Sequence, residues 1–198
     1  MIQVHHLERS RSQRILWLLE DLGVEYEVVR YARDPVTQRA PAELAKVHPL
    51  GKSPVLVDGA LVLAESAAIV DWLVVKHGRG RLSPSHDDPE FAQYLHWLHF
   101  AEGSAMFPLL LDLFLGMVGD AAAPLRDRVS AEIDALLAYL ESALDGQSHF
   151  VGDRFTAVDP LMTFVAEFAS SRRSLDGFPN LASYLERMHA RPAYARAI

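Results

Sequence analysis

Cysteine is absent from this chain of 198 residues. Its absence excludes disulfides, thiolate metal sites and every mechanism in which an enzyme cysteine is the nucleophile. Positive net charge is also lacking, because 26 acidic side chains outnumber 19 basic ones and the formal charge is −7. A net acidic chain is a poor candidate for binding nucleic acid or an anionic membrane by charge. We therefore expect no nucleic acid and no membrane among its partners.

Long apolar runs are scarce, although 50% of the residues are hydrophobic. Acidic residues or proline interrupt the two most apolar stretches, 60–75 and 105–118. Neither reaches the roughly 18 uninterrupted apolar residues that a membrane span requires. The first residues also lack an apolar core of the length that a signal peptide needs. The sequence therefore predicts a soluble, cytoplasmic protein with ample apolar surface for a core.

The first 78 residues predict a mixed α/β domain. Strand-like alternation and helical spacing follow one another in the order β-α-β-α-β-β-α, over residues 2–7, 15–22, 26–31, 41–47, 54–58, 60–63 and 66–77. The first two strands are joined by a helix, which implies a parallel pair. The last two are joined at Asp58-Gly59, a turn dipeptide that indicates an antiparallel hairpin.

Residues 79–89 are rich in turn formers and charge, and we interpret them as a linker. The remaining segments have helical spacing, at 91–118, 124–144, from about 156, 181–189 and 192–198. Pro108 is expected to kink the first of these helices. Thr156 and Asp159 fit a capping box, in which Thr156 caps the helix N–H groups and Asp159 accepts the Thr156 N–H. The predicted fold class is α+β.

Three runs of sequence resemble the cytosolic glutathione transferases: SRSQRILWLLEDLGVEYE, HPLGKSPVLVDGALVLAESAAIVDWL and GDRFTAVDP. They occur in the family's order and spacing, and the chain is most similar to a bacterial, serine-type (theta-like) member. The resemblance implies a thioredoxin-like domain at 1–78 that binds glutathione as co-substrate. It also implies a linker at 79–89 and an all-helical domain at 90–198, which carries the acceptor pocket and part of a homodimer interface.

The implied activity is detoxification: the thiol of glutathione is activated as a thiolate and attacks a small hydrophobic electrophile. Glutathione peroxidase activity is a further option, in which the same thiolate attacks a peroxide. The alternative is a non-catalytic glutathione-transferase-like protein that serves in binding or assembly. No metal is implied.

Glu65 and Ser66 open a predicted helix. The unpaired N–H groups and positive dipole of a helix N-terminus suit the γ-glutamyl carboxylate of glutathione. The Ser66 hydroxyl adds a donor, and Glu65 can pair with the ammonium group. The alternative is a serine that merely caps its helix.

Lys52, Ser53 and Pro54 form a second implied contact. The resemblance makes Pro54 a cis-proline that turns the backbone of Ser53 toward the cysteinyl part of glutathione. Many family members have valine before this proline, but the contact is made by backbone. Lys52 would neutralise the glycyl carboxylate. Arg39 is either a further contact or a solvated loop residue.

Thiol activation is expected just after the first strand, where family members use Tyr, Ser or Cys. Aligning Arg14 with the arginine that opens the first helix of the serine-type enzymes makes Ser10 the catalytic serine, with Ser12 as the alternative. A hydroxyl that donates to sulfur favours thiolate over thiol. Both serines could instead cap the first helix.

The acceptor pocket is expected between the domains. His99, Met106 and Phe107 are candidate lining residues, although Met and Phe at helical spacing are usually core. Glu102 lies close to where some related enzymes place an acid that reaches glutathione in the partner subunit. His96, His99 and Glu102 do not form a metal site, because their spacing turns the third side chain off the face of the first.

Overall fold

The computed structural model describes residues 1–197, so Ile198, the end of the last predicted helix, lies outside the described residues. The strands are β1 (Ile2–Leu7), β2 (Tyr26–Tyr31), β3 (Val55–Asp58) and β4 (Leu61–Ala64). The helices are α1 (Gln13–Leu22), α2 (Leu44–Val47), α3 (Ser66–His77), α4 (Phe91–Phe100), α5 (Met106–Val118), α6 (Ala123–Ala143), α7 (Val158–Ser170), α8 (Pro179–His189) and α9 (Pro192–Ala197). The predicted α+β fold class is confirmed.

The four strands form one sheet in the order β2-β1-β3-β4. β1 runs parallel to β2 and antiparallel to β3, and β3 pairs antiparallel with β4. The predicted parallel pair and antiparallel hairpin are therefore both present. Buried aliphatic side chains from β1, α1 and α3 form the core around this sheet.

The chain divides into two compact units, Met1–Ser83 with Ala190–Ile198, and Pro84–His189. The C-terminal helix α9 thus groups with the sheet, whereas the sequence pattern placed it in the helical domain. Trp17 of α1 meets Tyr194 edge-on at 5.0 Å, and Arg191 pairs with Asp21 at 2.8 Å. These contacts join residues about 170 positions apart, which helical periodicity cannot reveal.

The long helix predicted at 91–118 is three consecutive helical segments. A π-helical turn, Ala101–Ala105, separates α4 from α5 and lies just before Pro108. Proline cannot donate an N–H, and its ring crowds the carbonyl of the residue four positions earlier, here Ser104. A π-turn widens the helix at that point and accommodates the proline, so the predicted irregularity takes this form.

One helical stretch, Phe91–Ala143, is long and apolar enough to cross a membrane by length and composition alone. Only 28% of its most apolar window is buried. The interrupted apolar runs predicted no such stretch, because the criterion was a run of uninterrupted apolar residues. Helices in the core of soluble proteins pass the same test, so this is weak evidence for a membrane span.

The capping box at the start of α7 differs in part from the prediction. The Asp159 carboxylate does accept the Thr156 N–H, at 2.7 Å. The Thr156 hydroxyl, however, donates to the same carboxylate oxygen at 3.3 Å and makes no cap to the helix. Tyr184 of α8 donates to the other carboxylate oxygen at 3.1 Å. Asp159 is fully buried and joins two helices.

Candidate functional site

The sheet topology brings four predicted site segments to one end of the sheet. β1 and β2 end there because they are parallel. β3 begins there and β4 ends there, since Val55 pairs with both His5 and Ala64. The segments that follow β1, β2 and β4 and precede β3 contain Ser10, Arg39, Lys52, Ser53, Glu65 and Ser66.

Ser10 lies in the turn between β1 and α1 and is 8% exposed. Its hydroxyl oxygen accepts the Ser12 N–H at 3.3 Å and lies 2.8 Å from the Ser12 hydroxyl. Ser12 occupies the N-cap position of α1, but its side chain makes no cap bond. The capping alternative is therefore excluded for Ser12.

Ser12 is completely buried and is bonded on several sides. Its hydroxyl lies 2.9 Å from Nδ1 of His6. The Leu7 carbonyl, at 3.4 Å, can accept the Ser12 hydrogen, but the Ser10 hydroxyl is the closer acceptor at 2.8 Å. A ligand reaching this end of the sheet thus meets Ser10 before Ser12. His6 was not among the residues that the sequence predicted for the site, since it belongs to none of the motifs and stands beside a second histidine, His5.

Arg33 holds the Ser10 turn in place. Its guanidinium donates to the carbonyls of Glu8 and Arg9, at 3.0 and 3.1 Å, and to the Gln38 carbonyl at 2.9 Å. Arg9 needs such support because its φ of 50° lies in the left-handed region. Sequence reasoning also missed Arg33, which carries no motif of its own.

The Ser53 side chain extends the hydrogen bonding between β1 and β3 beyond the last pair of strand residues. The regular pairing stops at His5 and Val55, and Pro54 has no N–H to extend it. The Ser53 hydroxyl instead accepts the Leu7 N–H at 3.1 Å and donates to the His5 carbonyl at 2.8 Å. The Ser53–Pro54 peptide bond is cis, as the resemblance implied. A valine at this position could not make these two bonds.

Glu65 precedes α3 with φ 73° and ψ 119°, outside the region that a side-chain-bearing residue prefers. Such a conformation costs of order 1–3 kcal/mol and persists only where its surroundings impose it. The helix has no side-chain cap, and its first backbone bond runs from the Ile69 N–H to the Glu65 carbonyl. Ser66 is therefore the first helical residue rather than its cap. The N-terminus of α3 is open to an anionic ligand.

Lys52 and Arg39 are both exposed. Their positions beside β3 and after β2 put two cations at the same end of the sheet as Ser10. Two backbone bonds fix the loop that carries Arg39: the Asp34 N–H donates to the Arg39 carbonyl at 3.0 Å, and the Gln38 N–H donates to the Asp34 carbonyl at 2.9 Å.

The predicted acceptor residues fall on different surfaces of the helical unit. Met106 is buried in the core and His99 is exposed, whereas Phe107 is 67% exposed and lines a groove of about 650 Å³ along α5 and α6. Glu102 lies in the π-helical turn and is partly exposed. His96 bonds to the Tyr139 hydroxyl at 2.9 Å. Residues 1–197 contain no cluster of three or more His, Asp or Glu side chains that could hold a metal.

Comparison with known proteins finds matches along nearly the whole chain. The N-terminal domain of the glutathione S-transferase family matches residues 1–74, and its C-terminal domain matches residues 96–192. The chain is 38% identical to glutathione S-transferase 3 of Schizosaccharomyces pombe, over 98% of this chain and 85% of that protein.

Solved structures give the same result. A glutathione S-transferase from Actinobacillus pleuropneumoniae superposes with a TM-score of 0.90 at 36% identity, covering 100% of this chain and 91% of the other. A glutathione S-transferase from Methylobacterium radiotolerans, solved with glutathione sulfonate, has a TM-score of 0.82 at 26% identity, covering 100% and 94%. Since both family domains match in order and relatives align along nearly its whole length, the chain belongs to the glutathione S-transferase family.

Proposed function

We propose that this protein is a serine-type glutathione S-transferase in which Ser10 activates the thiol of glutathione. The observation that carries the proposal is the environment of the Ser10 hydroxyl. Its oxygen can accept both the N–H and the O–H of Ser12, which leaves its own O–H free to donate to a sulfur atom. A donor to the charged form of an acid lowers its pKa. The positive end of α1 acts in the same direction.

Glutathione would be held at the end of the sheet by groups that match its charges. The open N-terminus of α3, with Ser66, suits the γ-glutamyl carboxylate, and Glu65 suits the ammonium group. Lys52 suits the glycyl carboxylate, and Arg39 can add a second cation. The backbone of Ser53 would pair with the cysteinyl residue. The M. radiotolerans relative, solved with glutathione sulfonate, supports glutathione as the co-substrate.

The chemistry follows from the thiolate. The bound thiol releases its proton to water, and the sulfur lone pair forms a bond to an electrophilic carbon. The leaving group, such as a halide, departs with the electron pair of the broken bond. We expect a small hydrophobic electrophile, for which the exposed His99 remains a candidate contact. Met106 is buried in the core, and Phe107 lies in the groove along α5 and α6. The same thiolate could attack a hydroperoxide: an S–O bond forms, the O–O bond breaks and an alcohol leaves. A second glutathione then reduces the resulting sulfenic acid, which gives glutathione disulfide and water.

We further propose a homodimer that covers the groove along α5 and α6. The groove and its edges expose large apolar side chains, among them Phe107, Phe114 and Leu125. Arg128 and Glu132 lie one turn apart in the same groove. A two-fold axis brings such a pair against its own complement, which favours a second copy as the occupant. Covering this surface would also explain why the long apolar stretch is so little buried.

Light scattering on a sizing column tests the dimer. Phe107→Glu should give monomers, because it buries an unpaired charge in the interface. Leu95→Glu, which adds the same charge to an exposed α4 residue outside the groove, should remain dimeric. A wild-type protein that elutes as a monomer would exclude the dimer, and with it any contact of Glu102 with glutathione in the partner subunit.

Retention on glutathione-agarose, followed by turnover of chlorodinitrobenzene and cumene hydroperoxide, tests the activity. Retention with turnover supports a transferase. Retention without turnover on a panel of electrophiles and hydroperoxides favours the non-catalytic binding or assembly protein. Three further properties stay predictions: the serine-type, theta-like subclass, a bacterial source and a cytoplasmic location.

A further inference from the structure

A chain of three side chains leads from the interior of the sheet to the proposed catalytic hydroxyl. Nδ1 of His6 lies 2.9 Å from the Ser12 hydroxyl, which lies 2.8 Å from the Ser10 hydroxyl. All three side chains are buried, and the Ser12 side chain is completely so. Such a chain holds each hydroxyl in one rotamer and polarises the last donor.

We propose that His6 is a positioning residue for thiol activation: its neutral imidazole donates from Nδ1 to Ser12, whose hydroxyl donates to Ser10, so that the Ser10 O–H is directed at the sulfur. This inference rests on the proposed function and adds to it a residue that touches neither glutathione nor its thiol. Ser12 is the link through which His6 acts.

The reverse order of donors and acceptors in these hydrogen bonds has a different chemical consequence. If Ser10 donated to Ser12 and Ser12 to His6, the Ser10 hydrogen would point away from the sulfur, and His6 would be a base at the end of a proton relay. A neutral His6 with its hydrogen on Nε2 can accept such a bond, but taking up the proton as a base would require the imidazolium form in a buried position, which is costly.

The groups around His6 disfavour the imidazolium form. Burial is the main cause that lowers the His6 pKa, and Arg30, its register partner on β2, lowers it further. Glu8, two residues along from His6, acts weakly in the opposite sense. On the side of α1, the one hydrogen-bond partner of the His6 side chain within residues 1–197 is Ser12, which is uncharged. His6 therefore stays neutral at neutral pH and can serve as a donor.

Ultraviolet titration of the thiolate of bound glutathione is the direct test, supported by kcat/KM at a pH below the thiol pKa. His6→Leu should raise the bound thiol pKa by about 0.3–0.7 unit and lower kcat/KM about two- to fivefold, because one link of a cooperative chain is lost. His6→Asn should restore both, since the asparagine amide can donate from nearly the position of Nδ1 but cannot take up a proton. Rescue by asparagine distinguishes a donor from a base.

His5→Asn is the matched control. His5 is the neighbouring residue on β1, is equally buried, and bonds through Nδ1 to the Tyr31 hydroxyl at 2.8 Å rather than to the serine chain. The thiol pKa should not change in this variant. In a Ser12→Ala background, His6→Leu should have no additional effect, because the link between His6 and Ser10 is already cut.

A His6→Leu protein that titrates like wild type overturns the inference, as does a His6→Asn protein that titrates like His6→Leu. If His6→Leu does not fold, His6→Asn is compared with His6→Gln, whose amide reaches the position of Nε2 instead. Asn must then match wild type, and Gln must show the raised thiol pKa. A wild-type protein that fails to lower the thiol pKa of glutathione contradicts the proposed function itself, before His6 is considered.

Discussion

Asp159→Ala is expected to be among the most destabilising single changes in the helical unit. The buried carboxylate accepts the Thr156 N–H, the Thr156 hydroxyl and the Tyr184 hydroxyl, at 2.7, 3.3 and 3.1 Å. Burial raises the pKa of Tyr184 well above its usual value, so the phenol stays protonated and donates. Alanine leaves the Thr156 N–H without its partner and removes one acceptor from Tyr184. Each unsatisfied buried group costs about 1–3 kcal/mol.

The expected loss is about 3–5 kcal/mol of unfolding free energy, larger than the ~1 kcal/mol typical of a helix cap. For a chain of this size that is a fall in Tm of roughly 6–20 °C. Urea unfolding of Asp159→Ala, Tyr184→Phe and the double variant gives the value. The double variant should lose less than the sum of the two single changes, because they share a hydrogen bond.

Glutathione affinity measured well below Tm should match wild type, since Ser10, Lys52, Glu65 and Ser66 lie in the other unit. A loss below about 1 kcal/mol for Asp159→Ala would show that the buried carboxylate contributes no more than an ordinary cap, contrary to the expected network of three bonds. Additive losses in the double variant would show that Tyr184 and Asp159 do not interact.

Glu65→Ala should raise the Kd of glutathione by roughly ten- to a hundredfold in calorimetry, because a charge-assisted bond to the ammonium is lost. Glu65→Gly should lose the same affinity yet melt higher than Glu65→Ala, since glycine relieves the positive φ; equal Tm values would contradict the strain. Ser53→Val should lower stability by about 1–3 kcal/mol in urea unfolding because two backbone groups lose their partner, whereas Ser53→Thr keeps the hydroxyl and should not. Unfolding free energy should fall as pH drops from about 7 to about 5, because burial lowers the pKa of His5 and His6 in the folded state. The stability that depends on their neutral form is fully present above the unfolded-state pKa near 6.5 and is lost as pH falls toward the lower folded-state pKa. The variant carrying both His5→Asn and His6→Asn should flatten this slope, and an unchanged slope would exclude the two histidines as its source.

Much of the fold is predictable from local pattern. Alternation over β1 and β2 and helical spacing over α1 and α3 place these elements within two residues of their observed bounds. The hairpin at Asp58-Gly59 and the parallel pair follow from a turn dipeptide and from the handedness of β-α-β connections. These signals lie within a few residues of the structure that they specify.

The features that the pattern missed depend on contacts between distant residues. Helix α9 packs on α1 through Trp17 and Tyr194, and nothing in the spacing of either helix indicates a partner. The hydroxyl of Thr156 donates to Asp159 instead of capping α7, because a fully buried carboxylate needs every donor within reach.

The candidate site likewise contains residues that local motifs mark and residues that only contacts between distant segments bring together. Its serines, acid and cis-proline stand in short motifs, and these could be named from the sequence. His6 and Arg33 stand in no motif, and their bonds to Ser12 and to the Ser10 turn become visible once the chain is folded. Strain at Glu65 is equally hidden, since no sequence signal marks a glutamate at positive φ.

Titration of the thiolate absorbance of bound glutathione in wild type, Ser10→Ala and Ser12→Ala shows directly whether Ser10 activates the thiol. A free thiol of pKa about 8.5 is only about 3% thiolate at neutral pH, and a shift of about two units would raise this to about three-quarters. We expect a lowered thiol pKa in wild type, a large rise of this pKa in Ser10→Ala with affinity retained, and a smaller rise in Ser12→Ala. Ser10→Ala should also lose about ten- to a hundredfold in kcat/KM, a loss that shrinks as pH rises. If Ser10→Ala titrates like wild type while Ser12→Ala shifts upward, Ser12 is the activating residue and the assignment of Ser10 is wrong.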